Sequence, residues 1–362
     1  MSFINSIGIA NPAYKSEQMQ IYEYMIGAIP FNERERKILK YLYKKSGINS
    51  RYSVLPDFSN SNGTERFYNE KNNFNPRVEN RLSKYDDASL PLATKAISNC
   101  LLDSNVRSEE ITHLITISCT GMSAPGMDTE IIRDLKLNTN LQRFNITFMG
   151  CFAAINGLKL AHTICKAEPN AKVLVVSVEL CTLHFQNEIS EDYNLSNMLF
   201  ADGAAATIVT SQPLNGRALS IHGFHSEIND DGVKDMSWNI SSSGFLMKLS
   251  SYVPALLKTG FKGVIDKVLE HYQLKYDDLQ YWAIHPGGKR ILDNIEKEFH
   301  LEVKKLEASR EVLREFGNMS SPTILFVLKN LLENGHIQKG QYIFTAAFGP
   351  GLTTETALLS YA

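Results

Sequence analysis

"MGCFAAINGLKLAHTICKAEPNAKVLVVSVEL", residues 149–180, decides the fold. It opens on a glycine and a cysteine. It continues as a mainly apolar stripe at helical spacing (Cys151, Ala154, Ile155, Leu158, Ala161, His162, Cys165) and ends in the apolar run 171–180. Such a stripe predicts a helix buried on one face. The run predicts a strand buried on both faces. "FGNMSSPTILFVLKNLLENGHIQKGQYIFTAAF", residues 316–348, repeats the plan: Gly, a polar residue, a small-residue helix start, an apolar helix, a turn and a strand. The two stretches predict an α/β protein of two pseudo-duplicated halves, with Cys151 and Asn318 at equivalent points. "QPLNG" (212–216) interrupts the pattern and sets the expected boundary, residues 1–213 and 214–362.

Outward from these stretches, helices are expected over about 15–45, 86–104, 127–136, 254–272 and 288–299, with another from about 319. Asn32, Glu33 and Glu35 read as an N-cap and an acidic first turn, and Lys44 and Lys45 as a cationic last turn. Residues 54–80, rich in Asn, Ser, Gly and Pro, read as loop. Strands are expected at 113–119, 143–149, 203–211, 218–224, 281–285, 341–348 and 355–362.

The totals exclude several function classes. A net charge of −2 over 362 residues offers no electrostatic case for nucleic acid or an anionic membrane. The five cysteines (Cys100, Cys119, Cys151, Cys165, Cys181) form no CxxC pair and no zinc-type spacing, so no metal site is expected. They read as thiols of a reducing compartment. No basic leader precedes an apolar stretch and no run of 18 apolar residues occurs, so the expectation is a cytoplasmic, non-spanning protein.

Four segments carry possible chemistry, and each has a plain alternative. Cys151 stands where a helix N-terminus would stabilise a thiolate, but a free cysteine is more often a small core residue. His285, in "AIHPGGKRILD" (283–293), ends a strand before a tight turn, which projects an imidazole into a cleft or leaves it in a loop. Asn318, in "FGNMSSPTILFVL" (316–328), reads either as an N-cap with Ser320 and Ser321 starting the helix, or as an amide donor for a developing oxyanion. Gly349-Pro350-Gly351 forces a turn that is structural or lets backbone approach a ligand closely.

Taken together, "GCFA" at Cys151, "HPGG" at His285, "GNMSS" at Asn318, "FGPGLTTET" near the C-terminus and "LFADGAAA" (199–206) resemble the type III polyketide synthases, the chalcone synthase-like branch of the thiolase superfamily. The resemblance runs from about residue 5 to the end and implies a thiolase-like fold in αβαβα layers. It implies decarboxylative Claisen condensation on coenzyme A thioesters, with malonyl-CoA and acyl-CoA as substrates and no other cofactor. In that reading Cys151 carries the acyl group, His285 helps hold its thiolate as an ion pair, and His285 with Asn318 donates to the malonyl-derived enolate. A pyrone or resorcinol-type product and a homodimer are also implied. Phe200 matches the aromatic residue flanking the reaction chamber, and Lys45, with Lys37 and Lys40 as helpers, matches the basic rim for CoA phosphates.

The same resemblance assigns Thr120, Ser320, Gly349 and Pro350 to the substrate site. Cys119, Cys181 and His184 stand where plant enzymes commonly carry Thr. Met247 replaces a usual Phe, Trp238 a usual Gly, and Ala124 a usual Met. These departures are similar to bacterial and fungal relatives that make alkylpyrones, alkylresorcinols or small hydroxylated aromatics. Two other readings share a Cys/His/Asn set: a ketoacyl-ACP synthase III, which usually follows its histidine with Gln-Ala-Asn, and a cysteine-dependent thioester hydrolase.

Overall fold

A computed structural model describes residues 1–59, 66–214, 216–250 and 253–362, with the side chains of 231 and 253–259 left aside. The chain opens with β1 (Ser2–Ala10), then β2 (Tyr14–Glu17), helices α1 (Gln18–Ala28) and α2 (Glu33–Lys45), and β3 (Ser50–Ser53), which pairs with β2. The α2 ends follow local chemistry. Asn32 accepts from the Glu35 N–H while Glu35 reaches back to the Asn32 N–H, and Lys44 and Lys45 close the last turn. Then come α3 (Val78–Ser104), β4 (His113–Ser118), α4 (Met127–Asp134), β5 (Gln142–Thr147), α5 (Ala153–Ala167), β6 (Lys172–Leu180), α6 (Glu191–Leu199) and β7 (Asp202–Thr210). The remainder holds β8 (Leu219–Ile228), the hairpin β9 (Met236–Ser241) and β10 (Gly244–Leu249), α7 (Val253–Tyr272), β11 (Leu279–Ile284), α8 (Lys289–Glu298), α9 (Glu307–Phe316), α10 (Thr323–Asn334), β12 (Tyr342–Gly349) and β13 (Thr353–Tyr361).

Nine strands form one sheet in the order β11-β12-β13-β8-β1-β7-β6-β4-β5. From the centre outward the two sides match. The run β1-β7-β6-β4 pairs antiparallel, antiparallel, parallel, and so does β8-β13-β12-β11. Three residue pairs between β1 and β8 (Ser2↔Ile221, Phe3↔Ser220, Ile4↔Leu219) join the sides.

Strand alternation then sorts the core into layers. One set of faces (Ile115, Ile117, Val173, Val175, Ala205 with Ala283, Ile343, Ala347 and Ala357) packs on α5 and α10. The other set (Leu114, Leu174, Val176 with Trp282, Phe344, Phe348) packs on the outer helices α3 and α7. Helix, half-sheet, central helix pair, half-sheet and helix give five αβαβα layers. Helix α10 is buried at every position from Thr323 to Leu328, as a helix between two apolar surfaces must be.

Six expectations change. β1, the strand that joins the two sides, lies in a stretch not read as a strand. The 236–249 hairpin and α9 were likewise unassigned. Helix α3 begins eight residues earlier than expected, at Val78, because Arg81 and Tyr85 of its first turns are drawn into the interior. Asn318 does not cap the helix after it: α10 starts at Thr323 behind Pro322, and Ser320 takes a left-handed backbone, φ 57°, that postpones the helix. Cys151 also sits two residues ahead of its helix, in a turn closed by Ala153 N–H to Gly150 O at 3.0 Å. Among the described residues no helix is long and apolar enough to cross a membrane.

The contact of β1 with α3 is made backbone to backbone at Gly8. A Cβ there would lie 2.1 Å from Ala96 O and 2.3 Å from Cys100 N. Gly8→Ala is expected to lower stability by about 3 kcal/mol, the upper end for overpacking, since backbone rather than a mobile side chain must yield. An unchanged denaturation midpoint would show that α3 is free to move away.

Candidate active site

Cys151 is 5 % exposed and lies where the ends of several elements meet. Gly150, at φ 84°, carries it out of the turn after β5. A side chain at Gly150 is barred, since a Cβ would come 2.2 Å from Pro350 Cδ. The Gly150 N–H donates to Cys119 Sγ at 3.0 Å. Gly349 lies against the other side of the turn, its Cβ position 3.4 Å from Cys151 N. The Gly349–Pro350 turn therefore packs on the Gly150–Cys151 backbone.

Asn318 is hung between two segments. Its N–H donates to Leu199 O at 2.9 Å and its carbonyl accepts from Ala201 N–H at 2.8 Å, an isolated parallel bridge opposite Phe200. Its side-chain oxygen accepts from Ser320 N–H at 2.8 Å, which fixes the amide and supports the left-handed Ser320. Its Nδ2 points to Gly287 O at 3.5 Å, two residues beyond His285. His285 follows β11, its N–H bonded to Ala346 O at 2.8 Å. The ring is 1 % exposed and neither nitrogen has a hydrogen-bond partner. A buried polar group in that state is uncommon and marks a group available to a ligand.

Burial, opposed by the Ser320 hydroxyl and the Asn318 amide and aided by the Glu179 charge, pushes the Cys151 thiol up to about 12. Burial also pulls His285 down to about 3. Both shifts favour the uncharged forms, the direction opposite to the ion pair that the resemblance implies. Helix-end stabilisation of a thiolate is outweighed by desolvation here.

The chamber beside the thiol gathers Cys151, Cys181, Phe200 and Met247 into one apolar cluster, with Trp238 half-buried against it. Met247 and Trp238 are cross-strand partners in the β9–β10 hairpin. Trp238 Nε1–H donates to Cys119 O at 2.6 Å. His184 holds the wall rather than presenting a polar atom. Its Nε2 donates to Thr120 O at 2.8 Å, its Nδ1 accepts from Phe245 N–H at 3.1 Å, and its ring stacks on Phe245 at 4.3 Å. Burial holds it neutral, down to about 3. Thr120 turns away from the thiol, its hydroxyl donating to Glu179 Oε2 at 2.8 Å and accepting from Leu180 N–H at 2.9 Å.

Glu179 escaped the sequence reading, though one acid within the apolar run 171–180 was a signal. It is fully buried on β6 and accepts from Cys119 N–H at 2.9 Å and from the hydroxyls of Thr120 at 2.8 Å and Ser321 at 2.5 Å. Burial outweighs these donors and lifts its pKa to about 7. Its charge also helps keep Cys119 and Cys181 protonated, after burial itself.

The three lysines lie along α2. Lys45 ends α2, and two residues on, the Cβ position of Gly47 lies 3.2 Å from the Lys289 side chain, in the first turn after His285-Pro286-Gly287-Gly288. Lys37 lies eight residues, about 12 Å, back along the helix. It is ion-paired with Glu33 at 2.6 Å. Lys40 sits over the Tyr22 ring at 5.9 Å. Ala124 is exposed in the loop after β4. Among the described residues no group of three or more His, Cys, Asp or Glu is placed to hold a metal ion.

Residues 1–213 match the family model of chalcone and stilbene synthases, N-terminal domain, and residues 225–361 match the C-terminal domain. The alpha-pyrone synthesis polyketide synthase-like Pks18 of Mycobacterium tuberculosis is 30% identical over 288 residues, covering 78% of this chain and 73% of that one. Type III polyketide synthase C of Arabidopsis thaliana is 29% identical over 366 residues, 98% of this chain and 94% of that one. The crystal structure of PKS-I from the brown alga Ectocarpus siliculosus superposes with a TM-score of 0.94 at 29% identity, over 100% of this chain and 98% of that one. The fold and these relatives define a thiolase-like acyltransferase. The chain belongs to the chalcone and stilbene synthase family, the type III polyketide synthases.

The Glu179 carboxylate makes a testable contribution to the thiol. Above about pH 7 it is an anion that opposes thiolate formation; below, it is neutral and does not. Glu179→Gln should speed iodoacetamide modification of Cys151 at pH 8 by about threefold or more, half a pKa unit of thiolate. Peptide mass spectrometry reads the site of modification. Equal rates in a folded variant would mean that burial alone sets the thiol.

Proposed function

We propose that the protein elongates an acyl-CoA starter with malonyl-CoA by iterative decarboxylative Claisen condensation and closes the chain to a pyrone or resorcinol-type product. The observation that carries this is the buried imidazole of His285, with both nitrogens unpartnered, beside an amide and a thiol on three converging segments. Neutral His285 is the base that takes the Cys151 proton as sulfur attacks the starter thioester. The departing CoA thiolate receives that proton, leaving acyl-Cys151 and neutral His285. Malonyl-CoA then enters with its thioester carbonyl between His285 and Asn318. Loss of CO2 puts an electron pair on that carbonyl as an enolate, which receives hydrogen bonds from neutral N–H groups. The enolate carbon attacks acyl-Cys151, the thiolate leaves, and the lengthened chain on CoA reloads for another round.

In the same reading, residues 1–213 contribute Cys151 and residues 214–362 contribute His285 and Asn318. Phe200, Met247, Cys181, Cys119 and Trp238 bound the chamber, and Ser320 faces the thiol. The basic rim for CoA phosphates is centred on Lys45, with Lys37 and Lys40 secondary; no metal or further cofactor is required. A homodimer is supported by β5, a sheet edge exposed on both faces, with Phe144, Met122 and Met149 uncovered near it. Five unpaired, buried thiols suit a reducing cytoplasm.

Cys151→Ala should abolish covalent acyl loading yet keep slow malonyl-CoA decarboxylation. Asn318→Ala should cut decarboxylation by about 100- to 1000-fold, the usual cost of one oxyanion donor. Loss of decarboxylation in a folded Cys151→Ala variant would overturn this division of roles. Acyl-CoAs of graded length, supplied with malonyl-CoA and no carrier protein, identify starter and ring type by mass spectrometry. Turnover only with a carrier protein, or thioester cleavage without malonyl-dependent product, would refute the assignment.

A further inference from the structure

We propose that Arg51, remote from the reacting atoms, is a positioning residue for the enolate site, acting through the end of helix α6. The inference rests on the condensation reading above. Arg51 lies on β3, 2 % exposed, in the interior of the protein. Among the described residues its guanidinium bonds no carboxylate. Asp202, which influences it electrostatically, has its oxygens engaged by Val54 N–H and by the N–H and hydroxyl of Thr182. A buried cation without an ion partner is costly, so it must be held by other dipoles.

Those dipoles are the carbonyls that helix α6 leaves unpaired at its C-terminus. Arg51 Nη1 donates to Asn197 O at 2.8 Å and to Phe200 O, while Nε donates to Gln18 Oε1 at 2.9 Å. Gln18 in turn donates from Nε2 to Met198 O at 2.9 Å. Arg51 and Gln18 together thus bind three carbonyls within residues 197–200. The planar fork of arginine serves several acceptors at fixed angles, which a lysine ammonium does not reproduce.

This end of α6 is also what carries Asn318. Leu199 O accepts the Asn318 N–H, Ala201 N–H donates to Asn318 O, and Phe200 lies opposite it. The Leu199 methyls lie 3.6 and 3.7 Å from the Cβ position of Gly288, three residues beyond His285, an ordinary van der Waals contact and not a hydrogen bond. Gly317, at φ 69°, leaves room for the arginine stem: a Cβ there would be 2.8 Å from Arg51 Cδ and Cγ. Asn318, the enolate donor that takes no part in the proton transfer from Cys151, therefore rests on a segment whose carbonyls Arg51 holds. The His285 backbone is held by Ala346 on β12, and the Cys151 backbone by the turn after β5.

That asymmetry supplies the test. Arg51→Lys and Gln18→Leu are made in the full-length protein, and two rates are followed: malonyl-CoA decarboxylation and single-turnover acylation of Cys151 by an acyl-CoA, read by intact mass. Decarboxylation should fall roughly ten- to a hundredfold in Arg51→Lys, with the loss in kcat rather than KM, since displacements near 1 Å cost that much. Cys151 acylation should change by no more than about threefold. Arg51→Met should be at least as impaired as Arg51→Lys in decarboxylation. Unchanged decarboxylation in folded Arg51→Lys, or parallel loss of both rates, overturns the proposal. If Arg51→Lys does not fold, Gln18→Leu decides on the same two rates. Wild-type protein that releases no CO2 from malonyl-CoA would instead refute the condensation reading itself.

Discussion

Helices α5 and α10 are enclosed between two half-sheets, and every polar group at their leading ends must find a partner inside the protein or serve a ligand. The enclosure follows from the apolar character of both helices, with α10 buried at six successive positions. It also brings the turn after β5, the segment before α10, the turn after β11 and the Gly349–Pro350 turn to one place. Hydroxyls, amides and a carboxylate around Cys151 then satisfy one another almost completely: Glu179 with Cys119, Thr120 and Ser321, and Asn318 with Ser320 and the Leu199–Ala201 segment. His285 is the exception, since its ring nitrogens have no partner. That exception is where the chemistry of the site is concentrated.

Burial also governs the charge state. The resemblance implies a Cys151–His285 ion pair, but desolvation pushes the thiol up and the imidazole down. In the proposed reaction an uncharged imidazole accepts one proton during acyl transfer and donates a neutral hydrogen bond afterwards. Glu179 contributes in the same direction, since its charge keeps the three neighbouring thiols protonated.

Features governed by neighbours in sequence were legible before the fold was known. The α2 capping box and its charged ends, the helix of 153–167 and the strand of 172–180 follow from local preference and apolar period. Features governed by distant partners were not. β1 reads weakly as a strand because "SFINSIGIA" mixes Ser, Asn and Gly with isoleucines; it becomes one through pairing with β7 and β8. The 236–249 hairpin carries Trp238 and Met247 yet has a poor alternating pattern on its solvent side. Asn318 looked like a helix cap because Asn precedes an apolar helix. Pro322 and the left-handed Ser320 move the helix start from about residue 319 to Thr323.

The sequence by itself determined which residues the proposed chemistry draws on, since Cys151, His285 and Asn318 sit in short motifs that are read locally. It also determined the duplicated strand-and-helix plan, through apolar periods that any folded form must bury. Tertiary structure decided how deeply those residues are buried and which groups back them. Those outcomes depend on burial and on hydrogen bonds between residues far apart in the chain, such as Arg51 with Phe200, 149 positions away. Dielectric environment and partner geometry exist only once the chain has closed around them.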